Sequence, residues 1–317
     1  MFDVTAIGEL LIDFVQNGKS TQGNDLFEAN PGGAPCNMLA MLQKLGYKTA
    51  FLGKVGDDAF GRTLANVIEQ AGICTKGLCY DKKVHTTLAL VHTFEDGDRD
   101  FSFYRNPGAD IMLQESELKW ELIDQCKIFH FGSLSMTDEP VAIATRAALK
   151  YAKEKGKLIS FDPNLRPPLW NDLEDAKKAI WYGIEQCDIL KIADNEIQWL
   201  TDETDYDRGV EKIRERASVK LINVTLGKEG SISYYEDKKV FADPFIQKNT
   251  VDTTGAGDTF CGCVLGYVLE HGLKDLSEKN LYEMIRFANA AAAFVTTKKG
   301  AILSMPAREE VEKMLQV

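Results

Sequence analysis

From about residue 127 onward, short runs rich in β-branched and aromatic residues alternate with longer segments whose apolar residues recur at helical spacing. The runs at 127–131, 157–162, 188–192 and 221–225 predict strands, and 141–155 and 173–186 predict helices between them. Strands alternating with helices imply βαβ units, and hence a mostly parallel sheet with helices on its faces. The first part of the chain follows the same grammar, with strands at 2–8 and 50–55 and helices at 36–45 and 60–71. The last third is helical over 255–271 and 281–295. There Phe260, Val264, Tyr267 and Val268, then Ile285, Ala288, Ala292 and Val295, form core-facing stripes.

One segment departs from this pattern. Residues 85–94 and 99–105 read as two strands around Glu95-Asp96-Gly97-Asp98, whose Asp-Gly step signals a hairpin. Residues 10–15 are a second β-like piece with no helix after it. Either these are two decorated loops, or they build a small β lid over the carboxyl edge of the sheet.

The chain has 317 residues. At roughly 150 residues per domain this suggests one large domain with an appendage, or two domains. Thirty-seven basic against 48 acidic residues leave a net charge of −11. That argues against a nucleic-acid footprint and against an electrostatic hold on anionic membranes. The seven cysteines (36, 74, 79, 126, 187, 261 and 263) are scattered and never spaced as CxxC, which suggests neither a disulfide framework nor a zinc site. A reduced setting fits them. The N-terminus lacks a basic n-region, and no apolar run approaches the roughly 18 residues of a membrane span. The expectation is a soluble cytoplasmic protein.

Two standard nucleotide motifs are nearly present and fail. Gly18-Lys19-Ser20 resembles the end of a P-loop, but Asp13 stands where its first glycine is needed. Gly255-Ala256-Gly257 resembles a dinucleotide fingerprint, but Phe260 replaces its last glycine. The strongest local signal is Asp252-Thr253-Thr254-Gly255-Ala256-Gly257-Asp258, a polar, glycine-rich stretch running straight into an apolar-periodic helix. Helix-start amides lack intrahelical partners and lie at the positive end of the macrodipole, so this is a candidate phosphate site. Asp258 falls in the first turn beside that anion. It is either a stabiliser of the helix start or a base, and helix-start amides weaken it as a base. Phosphoryl transfer tolerates a weak base, because its loose transition state needs positioning and charge neutralisation more than proton abstraction.

Other glycine and proline loops are individually weaker. Gly32-Gly33-Ala34-Pro35 opens a helix that carries Asn37 in its first turn, as an ordinary helix start or as a pocket floor. Asp162-Pro163-Asn164-Leu165-Arg166-Pro167-Pro168 follows a strand, where open α/β sheets bind their ligands. Its plainer reading is a rigid crossover with Asn171 capping the next helix. Thr225-Leu226-Gly227-Lys228-Glu229-Gly230 also follows a strand and either passes under a nucleotide or simply turns the chain. Asn195 and Glu196 begin a helix and either cap it or reach a metal's water shell.

The order of these motifs resembles the ribokinase-like (PfkB) family of carbohydrate kinases across essentially the whole chain. It runs from Gly8-Glu9 with Asp13, through Gly32-Gly33-Ala34-Pro35 with Asn37 and Lys54-Val55-Gly56-Asp57-Asp58-x-Phe60-Gly61, to the Asp162 and Asp252 loops. Phe103-Tyr104-Arg105-Asn106-Pro107, His130-Phe131-Gly132-Ser133 and the run from Pro163 to Trp170 resemble the fructokinases within it. The resemblance implies a single ribokinase-like α/β domain over 1–317, with a β lid inserted at about 10–31 and 84–106. It implies ATP-dependent phosphorylation of D-fructose to fructose 6-phosphate with Mg²⁺. Kinases for ribose or 2-keto-3-deoxygluconate, or a non-catalytic relative, are the alternatives.

By position, Asp258 matches the family's base, and Gly255, Ala256 and Gly257 its anion hole. Asp13, Gly33 and Asn37 match sugar contacts, with Tyr104, Arg105 and Arg166 near them. Asn164, Thr225, Gly227, Lys228, Gly230 and Asn289 fall on the nucleotide side. Glu196 matches the acidic member of an Asn-x-x-Glu motif that holds Mg²⁺ through water, although Ala193 replaces the asparagine here. Asp252, Thr254, Val295, Lys298, Gly300 and Ser304 match a K⁺ site built largely from backbone oxygens. Edge pairing between lid strands implies a homodimer.

Overall fold

The computed structural model describes residues 1–93 and 99–316. In chain order it contains β1 (Val4–Ile7), β2 (Leu11–Lys19), β3 (Asp25–Gly32), α1 (Ala34–Lys44), β4 (Thr49–Gly56), α2 (Ala59–Gln70), β5 (Cys74–Asp81), β6 (Leu88–Thr93) and β7 (Arg99–Tyr104). Then follow α3 (Trp120–Asp124), β8 (Ile128–Gly132), α4 (Val141–Glu154), β9 (Leu158–Asp162), α5 (Leu173–Gln186), β10 (Ile189–Ala193), α6 (Asp194–Thr201) and α7 (Tyr206–Arg216). The chain ends with β11 (Leu221–Thr225), β12 (Ser231–Tyr235), β13 (Lys238–Ala242), α8 (Ala256–His271), α9 (Glu278–Val295) and α10 (Arg308–Leu315).

Nine strands form one sheet in the order β13-β12-β11-β10-β9-β8-β1-β4-β5. From β11 to β5 every pairing is parallel, while β12 and β13 extend the sheet as an antiparallel edge. The parallel strands read as nearly unbroken apolar runs because both of their faces are covered. Alternation along each strand divides the core. Val4, Ala6 and Ile128 pack on one side with α1, α8 and α9, and Ile7, Phe129 and Phe131 pack on the other with α4 and α5.

The second sheet has four strands in the order β3-β2-β6-β7, with β2 and β6 parallel and the outer pairs antiparallel. It is one layer built from both β-like stretches of the sequence, rather than two decorated loops. The turn expected at residues 95–98 lies outside the described residues. Some element bounds also differ from the pattern-based reading. Helix α1 begins at Ala34 rather than residue 36, because Pro35 fits the first helical turn, where its missing N–H has no intrahelical partner to lose. Helix α5 is capped by Asp172, whose side chain accepts from the Glu174 amide, so Asn171 is not its cap.

Candidate active site

The polar loops converge where the parallel strands end. Glu9 follows β1, Asp162 closes β9 with Asn164 and Arg166 just beyond it, Lys191 lies near the end of β10, and Thr225 ends β11. Opposite them stand Gly33 and Asn37 at the start of α1, and the residues leading into α8. Apart from the buried Asp162, these residues line a polar cavity of about 430 Å³, together with Asp13, Phe103, Leu134, Glu196, Gly227 and Thr253–Asp258 apart from Ala256.

A second cavity of about 480 Å³ adjoins it and is more apolar. Phe245, Ile246, Phe260, Ala292 and Ala293 supply its walls, and Lys228, Gly230, Ala256 and Asn289 lie around it. Thr225, Gly227, Thr253 and Gly257 line both cavities, so the glycine-rich loop and the end of β11 form the shared boundary. An apolar cavity meeting a polar one across helix-start amides can hold a base-bearing phosphate donor on one side and a polyhydroxylated acceptor on the other.

Gly255 has φ +80°, a left-handed conformation that glycine adopts without steric penalty, and it acts as the N-cap of α8. Its carbonyl accepts from the Thr259 amide at 2.8 Å and from the Thr259 hydroxyl at 2.7 Å, which locks the first turn. Asp258 sits in that turn. Its Oδ2 accepts from Asn37 Nδ2 at 2.7 Å, a bond joining two helices 221 residues apart in sequence. Burial, then the Asp162 charge, pushes the Asp258 carboxyl up to about 6 against the pull of Asn37, Lys191 and Arg166. Asp13 and Glu9 are also lifted by burial, each to about 7. Glu9 nevertheless has a fixed place, because its Oε1 accepts from the Ala34 amide at the start of α1.

The remaining expected residues divide clearly. Arg166 and Asn164 both line the polar cavity, and neither reaches the more apolar one. Asn289 reaches the second cavity with its amide already engaged. It accepts from Ser231 Oγ at 2.9 Å and donates to the carbonyls of Ala242 and Asp243, so it fixes the wall that it lines. Glu196 accepts from the Leu165 amide at 2.7 Å and from the Ala193 amide at 2.8 Å, holding the loop that carries Arg166 against the start of α6.

Of the expected sugar contacts, Tyr104 and Arg105 line neither cavity. Tyr104 is 65% exposed, because strand alternation turns its neighbour Phe103 inward instead. Arg105 is buried and committed to Asp110, Thr137 Oγ1 and the Leu134 carbonyl. Asp252 joins the start of the glycine loop to residue 300, accepting from the amides of Thr254 and Gly300. Its own amide reaches the Thr296 carbonyl, the Val295 carbonyl accepts from the Lys298 amide, and Ser304 Oγ donates to the Lys299 carbonyl.

Pattern reading missed Lys191, Phe103 and Leu134. Only Lys191 left a readable sign, as the single charged residue in the apolar strand Ile-Leu-Lys-Ile-Ala.

Comparison with known proteins agrees with this architecture. A family model described as pfkB family carbohydrate kinase matches residues 1–308. The chain belongs to the pfkB family of carbohydrate kinases. It is 42% identical to "Fructokinase-1" of Zea mays over 315 residues, covering 99% of this chain and 97% of the relative. It superposes on a fructokinase from Xylella fastidiosa solved with bound ATP, with a TM-score of 0.91, 29% identity, and 100% and 99% of the two chains covered. A double mutant of a fructokinase from Vibrio cholerae, solved with fructose, ADP and potassium ion bound, matches with a TM-score of 0.88 and 27% identity over 99% and 98% of the chains.

Proposed function

We propose that this protein transfers the γ-phosphoryl group of ATP to the 6-hydroxyl of D-fructose. The observation that carries the reading is the boundary between the two cavities, where the Gly255–Gly257 loop starts a helix and Asp258 stands beside it on the polar side. The fructokinase relatives support fructose as the acceptor and ATP as the donor.

In this scheme the fructose hydroxyl oxygen attacks the γ-phosphorus and its proton passes to Asp258, while the bond from phosphorus to the bridging oxygen breaks and ADP leaves. The amides at Gly255, Ala256 and Gly257 take up charge on the transferring group. Asp13, Gly33, Asn37 and Arg166 orient the sugar. Thr225, Gly227, Lys228, Gly230 and Asn289 form the bed of the nucleotide, whose Mg²⁺ enters with it as part of the substrate. Glu196 would reach that ion only through water, since two backbone amides already orient its oxygens.

Asp252, Thr254, Val295, Lys298, Gly300 and Ser304 would offer backbone and side-chain oxygens, a hard set that suits K⁺ better than a soft metal. When bound there, K⁺ would supply positive charge behind the anion hole. The four-stranded sheet serves as the lid that excludes water from the activated phosphate. Its edge strands β3 and β7 carry exposed Leu26, Phe27 and Tyr104, which supports pairing with a second subunit. The seven free cysteines fit a cytoplasmic setting, and among the described residues no helix is long and apolar enough to cross a membrane.

A coupled ADP-release assay over fructose, ribose and 2-keto-3-deoxygluconate tests the reading. Fructose should be preferred, and Asp258→Asn should nearly abolish turnover while leaving ATP binding measurable. Preference for another sugar would overturn the acceptor, and a near-fully active Asp258→Asn would overturn the base.

A further inference from the structure

We propose that Lys191 is a positioning residue for phosphoryl transfer: paired with Asp162 and seated against Gly257, its ammonium group balances the charge around Asp258 and keeps that carboxylate able to accept a proton. This rests on Asp258 being the base.

Alternation along β10 sets the direction of the side chain. Ile189 packs in the core layer beneath α8, and Leu190 and Ile192 pack in the opposite layer, so Lys191 shares the face of Ile189 and points under α8. Its Nζ lies 3.2 Å from Asp162 Oδ1 and 3.1 Å from Oδ2, with the two side chains only 8% and 4% exposed. A methyl group added at Gly257 would lie 3.1 Å from the same Nζ. The ammonium group therefore touches the first turn of α8, one residue before Asp258.

Buried charge of this kind persists only when paired, because desolvating an unpaired ammonium or carboxylate costs several kcal/mol. Asp162 and Lys191 cancel as a pair. Removing either one leaves a full unit of buried charge beside Asp258. The other groups facing Asp258 stay in place when that happens. They are Arg166 from the loop after β9, Asp13 from β2, and the Cys261 thiol one turn along α8, which burial keeps protonated. Around Lys191 stand Glu196 of α6 and His130 of β8, whose imidazole is held neutral, down to about 3, by burial and by Lys191 itself.

The pair thus makes a signed prediction that a merely structural role does not. Lys191→Met leaves Asp162 unbalanced and moves the acidic limb of the kcat/KM profile for the sugar to higher pH, by roughly 1–2 units, the order that a nearby buried unit charge exerts at an effective dielectric of about 20–40. Asp162→Asn leaves Lys191 unbalanced and moves the limb to lower pH. The double variant returns it toward the wild-type position, and Lys191→Arg leaves it nearly unmoved.

The experiment is the set of pH profiles for these variants, with urea unfolding and ATP affinity measured on each to confirm a native fold. Limbs that move in the same direction, or do not move in folded variants, overturn the proposal. If Lys191→Met does not fold, the downward shift of Asp162→Asn decides alone. Asp258→Asn run alongside separates the two readings. An active Asp258→Asn removes the base, whereas an inactive one with unmoved limbs removes only the role of Lys191.

Discussion

Asp110 offers a sharp test of what holds the small sheet to the large one. Thr87 immediately precedes β6 and Arg105 immediately follows β7, and both feet of this hairpin meet on the Asp110 carboxylate. Thr87 Oγ1 donates to Oδ1, while Arg105 Nε and Nη2 donate to Oδ2. The Arg105 and Asp110 side chains are 5% and 2% exposed. Asp110→Ala strands a guanidinium in a nearly dry site with only Thr137 Oγ1 and the Leu134 carbonyl left to accept from it, each at 2.9 Å. Breaking a buried pair from one side costs about 3–5 kcal/mol, and the two surviving bonds place this case near 3. Replacing both partners, as Arg105→Met with Asp110→Leu, should recover most of the loss, because neither charge of the pair is then left buried without the other.

Urea unfolding followed by fluorescence reads this as a lower midpoint at unchanged slope. Leu134 and Phe103 line the polar cavity beside this clasp, so the KM for fructose should rise in Asp110→Ala while that for ATP holds. A loss below about 1 kcal/mol, or a double variant as unstable as the single one, would show that the buried pair does not hold the hairpin in place.

Three further outcomes follow from the same geometry. With Asp258 at about 6, kcat should fall on an acidic limb near pH 6, since the protonated carboxyl cannot accept the hydroxyl proton; a rate independent of pH from 5 to 8 would contradict this. The same raised carboxyl binds its proton more tightly in the folded than in the unfolded chain. Stability is therefore lost as pH rises from about 4 to about 6, and Asp258→Asn should be more stable than wild type by about 2–3 kcal/mol at pH 8 and by little at pH 4. Gly33 has φ +127°, and a methyl group there would fall 2.4 Å from the Glu9 carbonyl oxygen, so Gly33→Ala should both destabilise the fold and lower kcat/KM for fructose at least about tenfold.

The parts of this site legible in the sequence are those written into local chain. Gly255 is readable because a helix start preceded by glycine is a local event, and Asp258 because its place in the first turn is fixed by counting. The repeating strands and helices are readable because both faces of β8–β11 are covered, so their apolar runs are unmistakable.

What stayed hidden depends on contacts between distant residues. Arg105 reads as a sugar contact because its closeness in sequence to Asp110 does not show that the pair is buried, and its other acceptors, Leu134 and Thr137, are far along the chain. Phe103 rather than Tyr104 lines the cavity, and alternation along the strand shows that neighbours differ but not which of them faces inward. Lys191 could be seen as an oddity in its strand, but its meaning depends on Asp162 of the next strand and on Gly257, which are distant in sequence. Asn164 lines the polar cavity on a loop held by the bond from the Leu165 amide to Glu196, a partner 31 residues away that the loop's own sequence does not reveal.

The measurement that bears most directly on the central claim is ADP release with Mg²⁺ATP across the sugar panel, run with wild type and Asp258→Asn side by side. Fructose should be the preferred acceptor and fructose 6-phosphate the product, and the variant should lose about 10²–10⁴ in kcat with ATP binding retained. A preference for ribose, or an Asp258→Asn variant that turns over fructose at near wild-type rate, would contradict that claim.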